Sequence, residues 1–398
     1  MAESLDFDIV IIGAGPAGLG FARSLADTGL QIAILEKLPE SVLADPPADG
    51  RDIALTHTSE ATMRDLGMWD HIPADRIGTI RDAKVVNGQS PYALHFDASR
   101  SGADYLGHIV PNFLIRRAAY NVVKDFDNIT LFTGVEVTDV HTDTAAGTVT
   151  LADGRTLSAR LVIAADSRFS GTRRKMGISA AMQDFGRVVI VCEMEHELSH
   201  NDTATECFHY DQTLAILPMH GNLSSVVVTI SADRADDIMA MTPEAFADDI
   251  ANRFGNALGK MTLVSERHPY PLVSVYADKF ITTRFALVGD AAVGMHPVTA
   301  HGFNLGLFGA DVLSGEIRHA LQNGTDIGDF GVLSRYQSRH RRKSRPIYLG
   351  TNVLVKLYTD TSPPARILRD AALRLGNILP PVKSGIMRQL TEIDRRAG

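Results

Sequence analysis

A glycine-rich segment near the start of the 398-residue chain has a spacing that suits a phosphate-containing cofactor. It reads GAGPAG from Gly13 to Gly18, which matches the pattern G-x-G-x-x-G. The first glycine of this pattern permits a tight turn, the second lets the backbone approach a pyrophosphate, and the third lets a helix pack close to a strand. The free N–H groups at the start of that helix then face the phosphate charge. The segment therefore predicts a dinucleotide site.

Glu36 narrows the choice of dinucleotide. It ends the next apolar run after the glycine segment, at about the 20-residue separation where an acidic side chain hydrogen-bonds ribose hydroxyls. Its charge would repel a 2′-phosphate on that ribose. Glu36 therefore disfavours a cofactor with a 2′-phosphate, and both FAD and NAD remain candidate ligands.

A second segment of chemical interest lies between Arg284 and Asp311. A short apolar run leads into Gly289 and Asp290, and a long helical pattern begins near Gly302. An acidic group at a strand end can accept a hydrogen bond from a ribityl hydroxyl, and a helix N-terminus can stabilise negative charge on a flavin ring. This segment therefore favours FAD.

The elements around the glycine segment are those of a βαβ unit. Residues 7–12 form a continuous apolar run typical of a strand buried on both faces, residues 16–27 place apolar side chains at helical spacing, and residues 31–36 form a second strand. Further strands are predicted within 80–98, 129–163 and 186–232, and helices over 52–66, 113–124, 243–258 and 302–320. The rest of the chain is predicted to be mostly helical, with breaks at Pro346, Pro363-Pro364 and Pro380-Pro381.

The composition argues against several classes of protein. Hydrophobic residues make up 45% and charged residues 22%, as in globular proteins, and the length suits two joined domains. A formal charge of −8 argues against a broad nucleic-acid surface. No apolar stretch approaches the ~18 residues of a membrane span, and no signal peptide is visible. Cys192 and Cys207 are expected to be reduced core thiols.

Together these segments resemble the single-component FAD aromatic hydroxylases, the class of para-hydroxybenzoate hydroxylase. The likeness is strongest to the ubiquinone-biosynthesis hydroxylase family, which carries G-D-A-A, H-P and G-x-N-x-G within one short segment. It extends over nearly the whole chain and includes RDIAL from Arg51, VPN ending at Asn112, and LVIAADSRFSGTR ending at Arg173. The third motif is similar to that of a demethoxyubiquinol hydroxylase subgroup.

The resemblance implies an α/β fold with a Rossmann-like FAD-binding domain, an inserted α+β substrate domain built on a mostly antiparallel sheet, and a helical C-terminus. The FAD-binding domain is expected to be discontinuous and to comprise residues 1–75, 105–178 and 276–335. The substrate domain is expected at residues 76–104 and 179–275, and the C-terminal helices at residues 336–398.

The resemblance also implies roles for the residues that match its motifs. FAD is expected to contact Gly13, Gly15, Ala17, Gly18, Glu36, Arg51, Asn112, Asp166, Arg173, Gly289, Asp290, Gly302, Phe303 and Asn304. The expected catalytic residues are His296, Pro297 and His301, although an N-cap or packing role stays open for His296.

Two positions depart from the family pattern. Ser167 stands where the middle motif has glycine, which implies some backbone adjustment. His301 stands where the third motif has glutamine, and it adds a titratable donor.

The reaction implied by the resemblance is a monooxygenation. NADH or NADPH reduces FAD transiently, O₂ adds to it, and a C4a-hydroperoxyflavin hydroxylates an electron-rich phenol. The expected substrate is a polyprenylated phenol or quinol of ubiquinone biosynthesis. A hydroxylase of soluble aromatics or secondary metabolites and a non-catalytic prenyl- or flavin-binding protein are the alternatives. No metal and no nucleic acid is expected.

Residues 335–345 form a basic segment, RYQSRHRRKSR. It is interpreted as a solvated helix face, with a patch for anionic lipid or partner proteins as the alternative. The expected location is the cytoplasm. Peripheral contact with the inner membrane or with a ubiquinone-synthesis complex stays open.

Overall fold

The computed structural model describes residues 5–87, 93–101, 103–208, 212–296, 301–359, 385 and 391–392. In chain order, the strands in these residues are β1 Phe7–Ile12, β2 Ile32–Glu36, β3 Asp52–Leu55, β4 Gly78–Ile80, β5 Asp82–Asn87, β6 Ala93–Asp97, β7 Gly107–Pro111, β8 Ile129–Thr133, β9 Val137–Thr142, β10 Gly147–Leu151, β11 Thr156–Ala164, β12 Ala180–His196, β13 Thr203–Phe208, β14 Thr213–Pro218, β15 Leu223–Ser231, β16 Met261–Leu263, β17 His268–Ala277, β18 Ile281–Thr282, β19 Phe285–Leu287 and β20 Val293–Gly294. The α-helices are α1 Pro16–Ser24, α2 Glu40–Ala44, α3 His57–Asp65, α4 Asn112–Asn121, α5 Gly171–Lys175, α6 Ala235–Ala240, α7 Pro243–Arg253, α8 His301–Gln322 and α9 Phe330–Thr359.

The glycine segment belongs to an eight-stranded sheet with the order β18-β19-β11-β1-β2-β8, in which β10 pairs with both β11 and β9. Strand β1 lies between β11 and β2 and is parallel to both. The last four residues of β1 are buried, because neighbouring elements cover both faces of the sheet, and this explains why its sequence is apolar without alternation. The predicted βαβ unit is therefore confirmed.

A second sheet has nine strands in the order β20-β17-β12-β15-β14-β13-β5-β6, with β16 also paired to β12. Its pairs are antiparallel except for β13 with β5. One face is covered by α6 and α7, whose Ile238, Phe246 and Ile250 pack against the strands. The other face turns toward the segment before β3 and toward His296, since Tyr270 donates to the carbonyl oxygen of Asp49 and Phe185 packs against His296. The strands of this sheet come mostly from the ranges expected for the substrate domain, and the domain boundaries themselves stay a prediction.

A small sheet, β3-β7-β4, lies where these two parts of the chain meet. The prediction of a helix starting at Asp52 is wrong, because residues 52–55 pair with β7 as strand β3. The helix begins one turn later, at His57. The side-chain oxygen of Thr56 accepts a hydrogen bond from the N–H of Ser59, which caps the first turn of α3.

Helix α9 continues through Pro346, where the sequence predicted a break. Proline cannot donate to the carbonyl four residues earlier, which belongs to Arg342. Both Pro346 and Arg342 lie on the exposed side of the helix, so water can satisfy that carbonyl, and this explains why the prediction was wrong. The breaks predicted at residues 363–364 and 380–381 lie outside the described residues.

Within the described residues, no helix is long and apolar enough to cross a membrane, and no three His, Cys, Asp or Glu side chains group as a metal site. Cys192 and Cys207 are buried free thiols, as predicted. They lie on β12 and β13, with two strands between them. Burial raises the pKa of each thiol to about 12, so both stay protonated.

Candidate functional site

The glycine segment forms a tight turn between β1 and α1. Gly13 has a φ of 109°, and a Cβ built on it would lie 2.5 Å from the carbonyl oxygen of Ala165. A Cβ on Gly18 would lie 2.2 Å from the carbonyl oxygen of Gly13. Close backbone packing therefore requires glycine at both positions, as the pattern predicts.

Gly15 differs from its two neighbours in the pattern. It is the N-cap of α1 in an ordinary extended conformation, and Pro16 follows at the first helical position. A Cβ built on Gly15 meets no atom of the described residues outside its own helix within 4 Å. The helix N-terminus is thus open on this side, where its N–H groups can bind an anion.

Glu36 lies beside this turn. One of its carboxylate oxygens accepts a hydrogen bond from the N–H of Ala14 (2.9 Å), and the other accepts from the N–H of Leu38 (3.0 Å). Each carboxylate oxygen can accept a further hydrogen bond. The residue that was expected to bind ribose therefore also holds the glycine turn against the end of β2.

The turn that follows β19 packs onto the same helix. Gly289 has a φ of 65°, and a Cβ there would lie 2.9 Å from the Cβ of Ala17. A Cβ on Gly306 of α8 would lie 3.3 Å from the Cα of Gly289. The starts of α1 and α8 are thus brought to either side of this turn, which joins two segments that are far apart in the sequence.

Asp290 follows in this turn, and its carboxylate accepts a hydrogen bond from the guanidinium of Arg168 at 3.2 Å. Arg168 also donates to the carbonyl oxygen of Val273 in β17. The predicted site residues did not include Arg168, although it lies within the middle motif.

The middle motif places Asp166 beside the glycine turn, since a Cβ on Gly13 would lie 2.8 Å from the Cα of Asp166, and it places the guanidinium of Arg173 beside the turn that carries Asp290. Asp166 accepts a hydrogen bond from the N–H of Thr172 at 3.2 Å, and its other carboxylate oxygen is buried with no hydrogen-bond partner in the described part of the chain. The buried guanidinium of Arg173 donates to the carbonyl oxygens of Arg168 (3.2 Å) and Ala291 (2.8 Å). Burial lowers the pKa of Arg173, and the charge of Asp166 opposes that effect.

Ser167 adopts its position without unusual backbone geometry. Positive φ angles among the described non-glycine residues occur at Asn201, Asp202, Asn256, Arg284 and Glu392. Because Ser167 is not among these, the glycine-to-serine departure needs no left-handed conformation here. The expected backbone adjustment is therefore not of this kind.

The side chains of Arg51 and Asn112 both contact Asp49, which was not among the predicted site residues. The Asp49 carboxylate accepts hydrogen bonds from Arg51 (2.6 Å) and from the amide of Asn112 (2.8 Å). The hydroxyl of Tyr270 donates to the carbonyl oxygen of Asp49 at 2.7 Å, and the Arg51 guanidinium lies 5.5 Å from the centre of the Tyr270 ring.

This group joins the FAD-binding side to the nine-stranded sheet. Burial tends to raise the pKa of Asp49, but the hydrogen bonds and charge of Arg51 outweigh it, so the pKa lies below its ordinary value. The carboxylate therefore stays ionised and keeps Arg51 in place.

The start of α8 holds the remaining predicted residues. The side chain of Asn304 is buried, accepts a hydrogen bond from the N–H of Thr56 (3.2 Å) and donates to the carbonyl oxygen of Ala54 (2.9 Å). His301 is also buried, and Phe303 packs against the main core. Among the described residues, which do not include residues 297–300, no atom outside the helix lies within 4 Å of a Cβ built on Gly302. Asn304 thus anchors the helix, and the described residues leave its Gly302 side open.

His296 lies just before α8 and is buried against the edge of the Phe185 ring, with ring centres 5.3 Å apart. Burial lowers its pKa to about 3, and the charges of Arg187 and Arg168 add to that effect. The imidazole is therefore neutral near pH 7, which favours a packing role over proton transfer. Pro297 lies outside the described residues.

These residues fit a long dinucleotide such as FAD. The open N-terminus of α1 suits the pyrophosphate, and the open side of α8 at Gly302 suits a flat ring system. The buried oxygen of Asp166 without a partner is the kind of polar atom that a bound ligand or water satisfies. Apart from Pro297, the structure thus brings most of the predicted residues to one region, and it adds Asp49, Arg168 and Tyr270.

Comparisons with known proteins agree with this geometry. The profile of the FAD binding domain family matches residues 6–344. The chain is 49% identical over 392 residues to the ubiquinone hydroxylase UbiM of Neisseria meningitidis, covering 98% of this chain and 85% of that protein. It is 34% identical to the ubiquinone hydroxylase UbiL of Rhodospirillum rubrum, covering 96% and 88%.

A solved structure with a similar fold is that of p-nitrophenol 4-monooxygenase PnpA from Pseudomonas putida. The TM-score is 0.78, with 18% sequence identity over 98% of this chain and 99% of the other. At this identity the likeness concerns the fold alone.

Proposed function

The chain belongs to the FAD binding domain family, and from that premise we propose that it is an FAD-dependent monooxygenase of ubiquinone biosynthesis. It hydroxylates the ring of a polyprenylated phenol or quinol with NADH or NADPH and O₂. The observation that carries this proposal is the 49% identity, over 98% of the chain, to a protein named ubiquinone hydroxylase. The residues gathered around α1 and α8 support it, because they are those that would hold the cofactor.

The proposed contacts run along the cofactor from α1 to α8. Gly15 and the N–H groups of α1 hold the pyrophosphate, and Glu36 binds the adenosine ribose. Asp290 accepts a hydrogen bond from the ribityl chain, and Gly302 lets the start of α8 approach the ring. When bound, FAD supplies the activation of O₂.

The other residues keep this arrangement in place. Arg173 fixes the turn at Ala291, and Asn304 fixes the start of α8 against the β3–α3 junction. The buried His296 contributes an uncharged surface near α8 that is shielded from solvent. Exclusion of water is what a monooxygenase requires, because water leads to unproductive loss of the reactive oxygen.

Purified protein provides the direct test. We expect a yellow protein that oxidises NADH or NADPH and consumes O₂ faster when a short-tailed analogue such as 2-geranylphenol is present, and mass spectrometry should show the addition of one oxygen atom. A gene deletion should abolish ubiquinone and accumulate one precursor. Normal ubiquinone in a deletion strain without a paralogue would contradict the proposal.

We also propose that the protein contacts the cytoplasmic membrane surface peripherally, through one side of α9. The α9 sequence contains no Asp or Glu. Leu349 and Val353 are 53% and 67% exposed, and the exposed cations Arg342 and Arg345 lie on the same side of the helix. Exposed apolar side chains flanked by cations suit an anionic lipid surface, which is where a prenylated substrate is dissolved.

Vesicle co-sedimentation tests this contact. The wild type is expected to bind phosphatidylcholine vesicles that contain phosphatidylglycerol, and the double variant L349E/V353E should lose most of that binding. Phe330→Glu is the matched control, because Phe330 is 63% exposed at the other end of α9. Equal binding by all three proteins would contradict the proposed surface.

A further inference from the structure

Glu206 is an acidic residue in the middle of an otherwise apolar row of the nine-stranded sheet. It lies in β13, opposite Ala215 of β14 and Val85 of β5. The row continues to Val227 of β15 and Val191 of β12. A carboxyl group in such a row is costly to bury and calls for a physical reason.

The row lies on the face of the sheet that turns toward the proposed cofactor site. The opposite face carries Cys207, Leu214 and Val228, which pack with α6 and α7. On the Glu206 face, Val191 contacts the loop before β3, since a Cβ on Gly50 would lie 3.1 Å from a methyl carbon of Val191. Glu206 therefore shares a face with the surface beside Arg51.

Glu206 also lies at the boundary between two separate hydrophobic clusters on this face. One cluster contains Phe208, with Val85 and Ala204 packed against it. The other contains Val189 and Val191, with Val227, Tyr270 and Phe185 packed against it, and Phe185 in turn contacts His296. The clusters are separated at the strands that carry Glu206 and Ala215.

The surface exposure of these residues indicates a recess at this boundary. Thr205, Cys207, Phe208 and Ala215 around Glu206 are all buried. Glu206 nevertheless keeps part of its surface accessible, as do Val85, Thr213 and Val227. Side chains in the middle of a sheet stay accessible only if the elements above them leave a space, so within the described part of the chain Glu206 lies in the floor of a recess lined mainly by apolar groups.

The chemistry of Glu206 suits hydrogen bonding rather than ion pairing. Burial raises its pKa to about 8, and a hydrogen bond with the side chain of Thr213 only partly opposes that effect. At pH 7 the carboxyl group is therefore mostly protonated, and it can both donate and accept a hydrogen bond. A phenol hydroxyl is a matching partner, since it also donates and accepts.

We propose that Glu206 is a specificity-determining residue that hydrogen-bonds the ring oxygen of the phenolic substrate in this recess. The inference rests on the proposed function and extends it to the part of the sheet that recognises the ring. Adjacent strands lie about 4.8 Å apart, so Glu206 is roughly 10 Å from Val227 and the cluster that reaches His296. The recess and that cluster together form one wall for an aromatic ring with an apolar tail.

A thermodynamic cycle tests the proposed hydrogen bond. FAD-loaded protein is titrated with 2-geranylphenol and with geranylbenzene, which lacks the oxygen, and the change in flavin absorbance gives each Kd. We expect the wild type to prefer the phenol and Glu206→Leu to reduce that preference about tenfold, as for one hydrogen bond. Glu206→Gln, which keeps a donor and an acceptor, should retain most of the preference.

Controls separate this inference from folding and from the proposed function. Glu195→Leu removes an exposed acid of the same sheet and should leave the preference unchanged. If Glu206→Leu loses FAD, Glu206→Ala takes its place. An unchanged preference in Glu206→Leu or Glu206→Ala would overturn the role of Glu206. A wild type that binds the phenol through Glu206 but does not hydroxylate it would refute the proposed function instead.

Discussion

Replacing Gly15 with alanine should weaken FAD binding without destabilising the protein that lacks FAD. Gly15 has a φ of −73° and a ψ of 171°, which any residue adopts, and a Cβ there meets no atom of the described residues outside its own helix within 4 Å. The added methyl group therefore causes no steric strain in the fold. Its effect on the unfolded chain would stabilise the apoprotein by about 0.4–1 kcal/mol, and the weaker N-cap that alanine makes would offset this by a similar amount, so the Tm should stay close to that of the wild type.

The substitution instead makes the binding free energy of FAD less favourable. The methyl group lies where the pyrophosphate approaches the N–H groups of α1, and loss of one charge-assisted hydrogen bond costs about 1.5–3 kcal/mol. This corresponds to an increase of about ten- to 150-fold in the Kd for FAD. Quenching of flavin fluorescence during titration of the apoprotein measures the Kd, and thermal unfolding without FAD measures the Tm.

Gly13→Ala is the matched control at the other end of the same turn. Gly13 has a φ of 109°, and a Cβ there would lie 2.5 Å from the carbonyl oxygen of Ala165. The alanine variant therefore suffers about 1–3 kcal/mol of backbone strain and a similar cost for displacing the neighbouring atoms. Its apoprotein should therefore unfold several degrees earlier. A Gly15→Ala protein with a lowered apoprotein Tm and an unchanged Kd for FAD would refute this reasoning. Gly15 would then be required for folding stability and not for binding FAD.

Three other substitutions test the surroundings of the site. Arg173→Lys removes the buried guanidinium, whose Nη1 alone donates to two backbone carbonyls, and a shorter ammonium group should not reach both. It should therefore cost about 1–3 kcal/mol of stability, seen as a lower Tm; a wild-type Tm would contradict this. Burial, together with the charge of Glu193, raises the pKa of Asp52 to about 7 from 3.8, although a hydrogen bond with Ser225 opposes the shift. Because the unfolded chain loses this proton at a lower pH than the folded protein does, the wild type should lose stability as the pH rises from 3.8 to 7. Asp52→Asn should therefore have a higher Tm than the wild type at pH 8 but not at pH 4. His296→Asn should leave the shape of the kcat/KM profile between pH 5 and 8 unchanged, because the pKa of His296 is about 3; an acidic limb that disappears in this variant would show that His296 titrates.

Interactions between residues close in the sequence were predictable. The turn from Gly13 to Gly18 depends on its own backbone and on the strand and helix that flank it, and the structure has the predicted βαβ unit there. The same holds for α8, whose described residues His301–Gln322 include the predicted helical range 302–320. The spacing of the residues predicts these elements because each glycine affects the conformation and packing of its immediate neighbours.

Two local predictions were wrong because the surroundings of the segment in the folded protein outweighed its local preference. Residues 52–55 fit a helical pattern, but pairing with β7 satisfies their backbone groups as a strand. Pro346 lacks the N–H that a helix uses, but its exposed position lets α9 continue past it. In both cases the deciding partner, a distant strand or the solvent, is absent from the local sequence.

The sequence by itself determined the glycine turn proposed for the dinucleotide, its acidic neighbour Glu36 and the helical pattern of α8, because each depends on neighbours along the chain. Only the tertiary structure decided that Asp49 holds Arg51 and Asn112 and is bonded to Tyr270, which lies 221 residues away. It also decided that Glu206 occupies a recess on the face toward the cofactor site. Strand register and domain packing set such contacts, and a one-residue change of register would turn Glu206 to the opposite face.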